Sequence, residues 1–375
     1  MTLRIVGIGT ALPEHRLTQA EAVELHTSFC GIDAQRARTL RALYRKSGIR
    51  TRHSVVLDGS EGPLEDRQRF YPPAEGDEDR GPTTAARMAA YEQQAPPLAV
   101  EAAGKALATG DVAPDAVTHL VTVSCTGFVS PGVDKAIVDG LGLRPTTERT
   151  HVGFMGCHAA LNGLRIARSF ALDDPSAVPL VCAVELCTLH FAYGWDPDML
   201  VANALFADGA SAVVGRGGPE AETGGPVGAS RSWPIAATGT LLMAASEEAM
   251  TWRIGDHGFR MTLSARVPDL IEEHLGGWLA DWLGEHGHRI ADIRSWAVHP
   301  GGPRILDAVE RTLGLERGAT AASRAVLAAH GNMSSATVVF ILDRMREGGA
   351  EVPCVALAFG PGLAVEAVLF GRRRP

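Results

Sequence analysis

Short apolar runs alternate with stretches of helical periodicity over most of the chain. The apolar runs predict strands at residues 3–8, 119–123, 178–184, 212–214, 296–298, 355–359 and 364–369. Apolar positions spaced three and four apart predict helices at residues 98–109, 158–171 and 304–313. Alternation of this kind is typical of an α/β protein built from layers of sheet and helix.

Two segments interrupt the pattern. Residues 58–82 are rich in Asp, Glu, Gly and Pro and predict a long solvated loop. This loop is either a surface excursion or a dedicated binding element. Residues 215–228 are dense in glycine and predict a junction, so we expect an N-terminal half at 1–225 and a C-terminal half at 226–375. The sequence shows no convincing internal repeat.

Composition narrows the functional class. Of the 375 residues, 46% are hydrophobic and 21% charged, and the net charge of −8 disfavours a nucleic-acid binder, which normally presents a broad basic face. The first ten residues predict a strand and no secretory signal, and no apolar run is long enough to span a membrane. Six scattered cysteines without a C-x-x-C pair indicate reduced thiols in a cytoplasmic protein, with no disulfide framework and no metal site.

The segment 153–164, with the sequence GFMGCHAALNGL, offers a candidate nucleophile. Helical spacing of the following apolar residues places Cys157 at a helix start. The helix dipole and the unpaired N–H groups there lower the pKa of a thiol, and the thiolate is the reactive form. The alternative is that Cys157 is a small core residue. His158 is expected to be structural, because adjacent helical side chains do not face one another.

A catalytic thiol needs a base and a group that holds an oxyanion, and two later segments offer them. His299 ends an apolar strand just before a Pro/Gly loop, at the kind of strand end where α/β proteins build sites. Asn332 lies in a turn that begins an apolar helix. Taken singly, His299 could be a core histidine and Asn332 a helix cap.

These segments together resemble the chalcone synthase-like, or type III, polyketide synthases, and the resemblance covers nearly the whole chain. It rests on five motifs in the family's order, which are GFMGCHAA at 153–160, ALFADGA at 204–210, HPGGP at 299–303, GNMSSA at 331–336 and FGPGL at 359–363. The resemblance implies a duplicated thiolase fold with α-β-α-β-α layers. It also implies a homodimer that uses coenzyme A thioesters as substrates, with neither a metal nor another cofactor.

The resemblance assigns a role to each matching position. Cys157 matches the nucleophile that carries the starter and the growing chain as a thioester. His299 matches the base that keeps the thiol ionised, and with Asn332 it matches the pair that hydrogen-bonds the malonyl-coenzyme A thioester during decarboxylation. Phe206 matches the aromatic gate between the coenzyme A tunnel and the reaction cavity, although a core phenylalanine beside Leu205 is the alternative.

The basic segment 44–50 aligns with the family's coenzyme A phosphate contacts. This alignment indicates Lys46 and Arg50 as phosphate ligands. A solvated charged face explains the same residues equally well.

Several cavity positions depart from the plant chalcone synthases. Cys125 and His190 match plant threonines, Met261 matches a phenylalanine, and Ser334 is retained. Trp252 matches a glycine of the cyclisation pocket, and a Trp side chain covers on the order of 200 Å². This replacement argues against a chalcone product. The pattern resembles bacterial alkylpyrone or alkylresorcinol producers, which implies a fatty acyl starter and a pyrone or resorcinol product.

Two other functions fit part of the sequence. A ketoacyl-carrier-protein synthase of the initiating class has the same fold and the same Cys/His/Asn set, but takes malonate from a protein carrier. A non-catalytic acyl-binding member of the fold is the second alternative, because a fold alone does not establish catalysis.

Overall fold

The computed structural model describes residues 1–219 and 233–372. The strands are β1 (Thr2–Ala11), β2 (Arg16–Thr18), β3 (Thr51–His53), β4 (His119–Ser124), β5 (Glu148–Gly153), β6 (Pro179–Leu186), β7 (Asp208–Gly218), β8 (Trp233–Leu242), β9 (Met250–Gly255), β10 (Gly258–Leu263), β11 (Ser295–Val298), β12 (Cys354–Gly360) and β13 (Ala364–Phe370). The helices are α1 (Gln19–Phe29), α2 (Ala34–Lys46), α3 (Thr84–Thr109), α4 (Val133–Leu141), α5 (Ala159–Asp173), α6 (Pro197–Leu205), α7 (Val267–Gly284), α8 (Pro303–Thr312), α9 (Ala321–His330) and α10 (Thr337–Glu347). Within these residues each helix is too short or too polar to cross a bilayer.

The main sheet is continuous from one half of the chain to the other. Its described strands run in the order β11-β12-β13-β8-β1-β7-β6-β4-β5. Strands β1 and β4–β7 form the N-terminal part, and β8 and β11–β13 form the C-terminal part. The two parts join where β1 pairs with β8, with Arg4 opposite Pro234 and Ile5 opposite Trp233.

The helices and the two parts of the sheet form five layers, and three main hydrophobic clusters fill the spaces between them. Helix α3 covers the outer face of the N-terminal strands, and helices α7 and α8 cover the outer face of the C-terminal strands. Helices α5 and α10 lie between the two parts of the sheet and pack against both. The α-β-α-β-α arrangement expected from the sequence is therefore confirmed.

The two central helices are apolar on nearly every side. In α5 residues 159–164 are all buried, and in α10 residues 337–342 are all buried. A helix that is buried on all sides must be enclosed by other layers. Helices α5 and α10 are enclosed in this way by the two parts of the sheet. A short 3₁₀ turn precedes each of them, Gly156–His158 before α5 and Ser334–Ala336 before α10. Both turns belong to the motifs that the sequence singled out, so the central layer positions the site.

Helix α3 is longer than the sequence predicts. The prediction began at residue 98, after a Pro-Pro pair, but the helix begins at Thr84 and includes Pro96 and Pro97. Each proline removes a backbone donor and disfavours a helix interior. Burial outweighs this cost, because Ala95 and Ala99 are fully buried on either side of the prolines and the helix packs on β1 and β7.

Both predicted loops differ in part from the structure. Residues 215–218 of the glycine-dense segment belong to β7, where a Cβ on Gly215 would lie 2.6 Å from the Leu3 side chain. Close packing against β1 explains that glycine. The expected boundary at 225/226 lies outside the described residues. Within the loop at 58–82, Gln68 and Tyr71 are buried, so this loop is not only a surface excursion.

Strand β1 and helix α3 pack so closely that glycine is required at their contact. A Cβ on Gly9 would lie 2.3 Å from the carbonyl oxygen of Ala102 and from the backbone nitrogen of Ala106. We predict that Gly9→Ala lowers the free energy of unfolding by about 2 kcal/mol or more, because backbone must move. Urea denaturation followed by circular dichroism measures the change.

A glycine in open space is the matched control. Gly277 lies in α7, and a Cβ there would meet nothing within 4 Å. We expect Gly277→Ala to stabilise the protein by up to about 1 kcal/mol, since alanine is the better helix former. Equal effects of the two substitutions would contradict the packing argument.

Candidate active site

Cys157 lies in the middle of the 3₁₀ turn that leads into α5. Its side chain is buried, with 9% of the residue exposed. The preceding Gly156 has φ +77°, and a Cβ there would lie 2.3 Å from the ring of Pro361. Glycine is therefore required before the cysteine for two reasons, backbone conformation and the close approach of the FGPGL motif.

Backbone strain is concentrated around the site. Phe154, Ser334 and Leu363 are non-glycine residues with positive φ, at +60°, +46° and +46°. Each lies in one of the motif segments that meet at Cys157. Such conformations are costly and persist where the surrounding structure enforces them, commonly at functional sites.

His299 follows β11 and is almost fully buried, with 1% exposure. Its backbone N–H donates to the carbonyl of Leu357 at 2.8 Å, which continues the pairing of β11 with β12. Neither ring nitrogen has a hydrogen-bond partner among the described residues. A buried polar group without a partner calls for a functional explanation. Burial lowers the pKa of His299 to about 3, and the nearby His158 acts in the same direction.

His158 itself has a structural partner, as the sequence predicted. Its Nδ1 lies 2.8 Å from Oδ1 of Asn162, one turn along α5. The ring is buried and belongs to the packing of the central helix.

Asn332 precedes the turn that leads into α10, and its side chain is oriented by its own segment. The side-chain oxygen Oδ1 accepts a hydrogen bond from the backbone N–H of Ser334 at 2.9 Å. This bond assigns the oxygen to the turn and leaves the amide N–H₂ as the available donor. The Asn332 side chain also lowers the pKa of the Cys157 thiol, which favours the thiolate.

One cavity brings the three residues together. Two adjoining spaces share Cys157, Phe206, Met250 and Met261, and we refer to them together as the central cavity. His299 and Asn332 line one of these spaces, and Cys125, Trp252 and Ser334 line the other. Every predicted catalytic residue therefore faces the central cavity, as do five of the six predicted gate and cavity residues.

His190 is the exception among the predicted cavity residues. Its ring stacks on Phe259 with centroids 4.1 Å apart, and its Nε2 lies 2.7 Å from the carbonyl oxygen of Thr126. It meets the Trp252 ring edge to face, at 5.6 Å. His190 thus supports Trp252 from behind and lines a neighbouring space.

The surroundings of Cys157 favour the neutral thiol when it is considered alone. Burial raises the pKa of Cys157 to about 12, and the charge of Glu185 raises it further, whereas hydrogen bonds from Ser334 and Asn332 lower it. Burial likewise disfavours a charged His299. Proton transfer from the thiol to the imidazole would create a pair without net charge, which a dry cavity tolerates better than either charge alone.

Glu185 is a site residue that the motifs did not identify. It is fully buried and accepts hydrogen bonds from Ser335 Oγ at 2.5 Å, Thr126 Oγ1 at 2.7 Å and the backbone N–H of Cys125 at 3.0 Å. Burial raises its pKa despite these donors. A single acidic residue inside the apolar run of β6 was the signal available in the sequence.

Phe206 and Asn332 are joined through their backbones. The N–H of Asn332 donates to the carbonyl of Leu205, and the N–H of Ala207 donates to the carbonyl of Asn332, both at 2.9 Å. These bonds form an isolated bridge between Phe206 and Asn332. The predicted gate and the predicted oxyanion donor are therefore fixed relative to each other.

Arg52 anchors the same bridge from a third segment, and the motifs did not identify it either. Its guanidinium is buried and Nη1 donates to the carbonyls of Asn203 at 2.6 Å and Phe206 at 2.9 Å. These carbonyls end α6, where a positive charge is favourable. Next to it, Thr51 Oγ1 donates to the carbonyl of Ala329 at 2.7 Å, so β3 holds the ends of both α6 and α9.

A second, mostly apolar space lies beside the central cavity, and we call it the lateral chamber. It encloses about 740 Å³ of space free of atoms, including some open to solvent. Its walls are α1, α2, the loop at 58–82 and residues 187–206. Cys187, Phe206 and Trp252 line both the lateral chamber and the central cavity, so they form the partition between them.

Trp252 is held firmly in this partition. Its indole Nε1 donates to the carbonyl of Cys125 at 2.7 Å. Phe259 and Phe206 contact the indole ring, with centroids 5.8 and 6.3 Å away. The side chain therefore occupies the space between the two cavities, in agreement with its predicted wall position.

Lys46 and Arg50 lie apart from the cavities. Both side chains are exposed, at the end of α2 and just before β3. Between them, Ile49 packs against Leu205 and Leu327, and Leu205 lines the central cavity. The two cations are thus close to the cavity wall but not part of it, and their contact with coenzyme A stays a prediction.

Comparison with known proteins identifies the family. The N-terminal domain of the chalcone and stilbene synthases matches residues 2–219, and the C-terminal domain matches residues 235–372. The 1,3,6,8-tetrahydroxynaphthalene synthase of Streptomyces peucetius subsp. caesius is 35% identical over 97% of this chain and 92% of that protein. The alpha-pyrone synthesis polyketide synthase-like Pks18 of Mycobacterium tuberculosis is 32% identical over 98% of this chain and 90% of that protein.

Solved structures agree with this result. PKS-I of the brown alga Ectocarpus siliculosus superposes with a TM-score of 0.90 at 29% identity, covering 99% of this chain and 98% of that one. The fungal type III polyketide synthase ORAS gives a TM-score of 0.84 at 28% identity, covering both chains completely. The chain belongs to the chalcone and stilbene synthase family and is a type III polyketide synthase, a condensing acyltransferase.

Proposed function

We propose that this enzyme extends a fatty acyl starter, held as a thioester on Cys157, with malonyl-coenzyme A and cyclises the product to a pyrone or resorcinol. The observation that carries the proposal is the convergence of Cys157, His299 and Asn332 on a dry cavity beside an apolar chamber. The family match favours this function over the ketoacyl-carrier-protein synthase that the motifs left open.

Loading of the starter uses the thiol and the imidazole. His299 takes the proton of Cys157, and the sulfur attacks the carbonyl carbon of the acyl-coenzyme A. A tetrahedral intermediate forms and then expels the coenzyme A thiolate, which receives the proton from His299. The acyl group is now bound to Cys157, and the imidazole is neutral again.

Extension uses the imidazole and the amide. The malonyl thioester loses carbon dioxide, and the electron pair of the broken C–C bond forms an enolate whose oxygen carries the charge. An N–H of His299 and the amide N–H₂ of Asn332 are the fixed donors available to that oxygen. The enolate carbon then attacks the thioester on Cys157, which forms a C–C bond and releases the cysteine sulfur for the next cycle.

The starter class is inferred from the lateral chamber. Most of the chamber's lining is apolar, which suits an alkyl chain. Trp252 fills the side of the central cavity where plant enzymes leave room for cyclisation. A flexible alkyl chain that passes the partition into the chamber would bury its surface without needing that room.

The proposed reaction needs no metal or redox cofactor. Decarboxylation supplies the carbanion, and N–H donors stabilise it. We also propose a cytoplasmic location, which agrees with six cysteines that are all free thiols. Lys46 and Arg50 are proposed to bind the coenzyme A phosphates.

A starter panel tests the function. We expect the purified enzyme to convert straight-chain fatty acyl-coenzyme A and malonyl-coenzyme A to pyrone or resorcinol products, detected by mass spectrometry. Intact-mass analysis with starter alone should show one acyl group on Cys157, absent in Cys157→Ala and retained in Cys182→Ala. Exclusive use of aromatic starters would contradict the starter class, and an enzyme that is never acylated would favour an acyl-binding protein without catalysis.

Asn332→Ala separates the two half-reactions. Acylation of Cys157 should continue, whereas condensation should fall about 10²- to 10³-fold, the usual cost of losing one oxyanion donor. Equal loss of both steps would show that Asn332 acts only by supporting the fold.

The partition residue Trp252 is expected to limit the size of the cyclising intermediate. Trp252→Gly joins the lateral chamber to the central cavity, so we predict products with more malonyl extensions from the same starter. Trp252→Phe keeps most of the ring and should keep the wild-type products. An unchanged product profile in Trp252→Gly, measured by mass spectrometry, would rule out this role.

We further propose that the enzyme is a homodimer. Strand β5 is the outermost strand of the sheet, and residues 148–151 along it are exposed. Phe128 and Met155 lie nearby on the surface, 43% and 42% exposed. An unpaired strand edge beside exposed apolar side chains is typical of a covered surface.

Substitution in this surface tests the dimer. Phe128→Asp should shift the molecular mass measured by light scattering from dimer towards monomer. Leu172 is equally exposed, at 41%, but lies at the end of α5, and Leu172→Asp should remain dimeric. A monomeric wild-type protein at micromolar concentration would refute the proposal.

A further inference from the structure

His26 is a buried histidine that the condensation chemistry does not use. It lies in α1, is 0% exposed and lines the lateral chamber. Its Nδ1 is 2.7 Å from the hydroxyl of Tyr44. Its Nε2 is buried and has no hydrogen-bond partner among the described residues.

The other polar side chains of the chamber that are buried have partners. Gln68 donates to the carbonyl of Tyr71 and accepts from the N–H of the same residue. Asn203 makes both of its side-chain bonds to the backbone of Ala192. Within the described lining of the chamber, Nε2 of His26 is the one buried side-chain nitrogen or oxygen left without a partner. The central cavity shows the same feature at His299.

The bond between Nδ1 of His26 and the hydroxyl of Tyr44 bears on which ring nitrogen of His26 carries the proton. The guanidinium of Arg52 lies over the Tyr44 ring, 5.3 Å from its centroid. We assign the Tyr44 hydroxyl as the donor to Nδ1 of His26. The ring proton of a neutral His26 then lies on Nε2. Burial lowers the pKa of His26 to about 3, so the ring is neutral near pH 7.

We propose that Nε2–H of His26 donates a hydrogen bond to an oxygen on the tail of the starter, so that the enzyme selects acyl chains bearing a hydroxyl or keto group. This inference rests on the proposed fatty acyl starter and specifies its class. Phe206, Arg52, Tyr44 and His26 all line the lateral chamber, so the imidazole belongs to a wall that a chain entering past the partition would follow.

The chemistry of the donor disfavours a charged tail group. A carboxylate at this position would have a neutral imidazole as its partner, and the one guanidinium of the described lining, that of Arg52, already donates to the carbonyls of Asn203 and Phe206. A hydroxyl or keto oxygen loses little on entering if it gains one hydrogen bond, and a plain alkyl chain leaves Nε2–H unsatisfied. The enzyme therefore discriminates between the two kinds of chain in two ways. An oxygenated chain gains a hydrogen bond, and a plain chain leaves a buried donor unpaired.

The experiment compares starters of one chain length. The panel contains the unsubstituted acyl-coenzyme A and chains that carry one hydroxyl or keto oxygen at successive positions. We expect the wild-type enzyme to favour one position over the plain chain by roughly 3- to 10-fold in kcat/KM, the value of one hydrogen bond. His26→Phe should remove or reverse this preference, measured as the ratio of kcat/KM for oxygenated and plain chains within the variant. His26→Gln, which retains a donor, should keep part of the preference.

A second variant covers the case in which His26→Phe fails to fold. Tyr44→Phe removes the hydroxyl assigned as the donor to Nδ1 and should weaken the preference, measured as the ratio of kcat/KM for oxygenated and plain chains within the variant. Turnover of plain and oxygenated chains at equal rates by the wild-type enzyme would overturn the inference and leave the fatty acyl starter intact. A preference that survives in His26→Phe would overturn it too and would assign the ring a packing role against Phe191, 4.8 Å away. If the enzyme turned over none of the fatty acyl-coenzyme A starters, the proposed starter class itself would be wrong.

Discussion

Two backbone hydrogen bonds hold the catalytic geometry together, and both join Asn332 to the segment that carries Phe206. They connect the N-terminal and C-terminal halves of the chain at the point where substrate must pass. Arg52 adds a charged donor to the same carbonyl group of Phe206, and β3 ties this assembly to the end of α9. Because backbone bonds of this kind do not depend on side-chain rotamers, they hold the backbones at Phe206 and Asn332 at a constant separation.

Burial is the second constraint on the site. The two central helices are enclosed by sheet on both sides, and Cys157, His299 and Asn332 beside the turns are buried. Burial then disfavours every isolated charge, which is visible in the raised pKa of Cys157 and the lowered pKa of His299. Glu185 strengthens the effect on the sulfur. Chemistry that begins and ends with neutral groups, such as acyl transfer and loss of carbon dioxide, is favoured in these surroundings.

The partition between the two cavities shapes both of them. Trp252 takes space from the central cavity, and the lateral chamber offers space on the other side of the same residue. His190 belongs to this arrangement, because its ring supports the indole and does not reach the sulfur. Substitutions that look like scattered cavity changes in the sequence therefore act together at one wall.

The motifs that resemble the type III polyketide synthases predicted the fold class and singled out Cys157, His299 and Asn332, which the structure places around one cavity. Such motifs are recognisable because close packing and fixed turns demand particular residues in them. Gly156 is an example, since both its positive φ and the contact with Pro361 exclude any side chain. The sequence did not identify Glu185, Arg52 or His26, which belong to no motif and act through contacts between distant segments. The extent of α3 was also decided by tertiary packing, which outweighed two prolines. Local patterns reflect what a residue's own segment requires, whereas only the folded chain shows which buried polar groups meet and which, such as the ring nitrogens of His299, have no partner among the described residues.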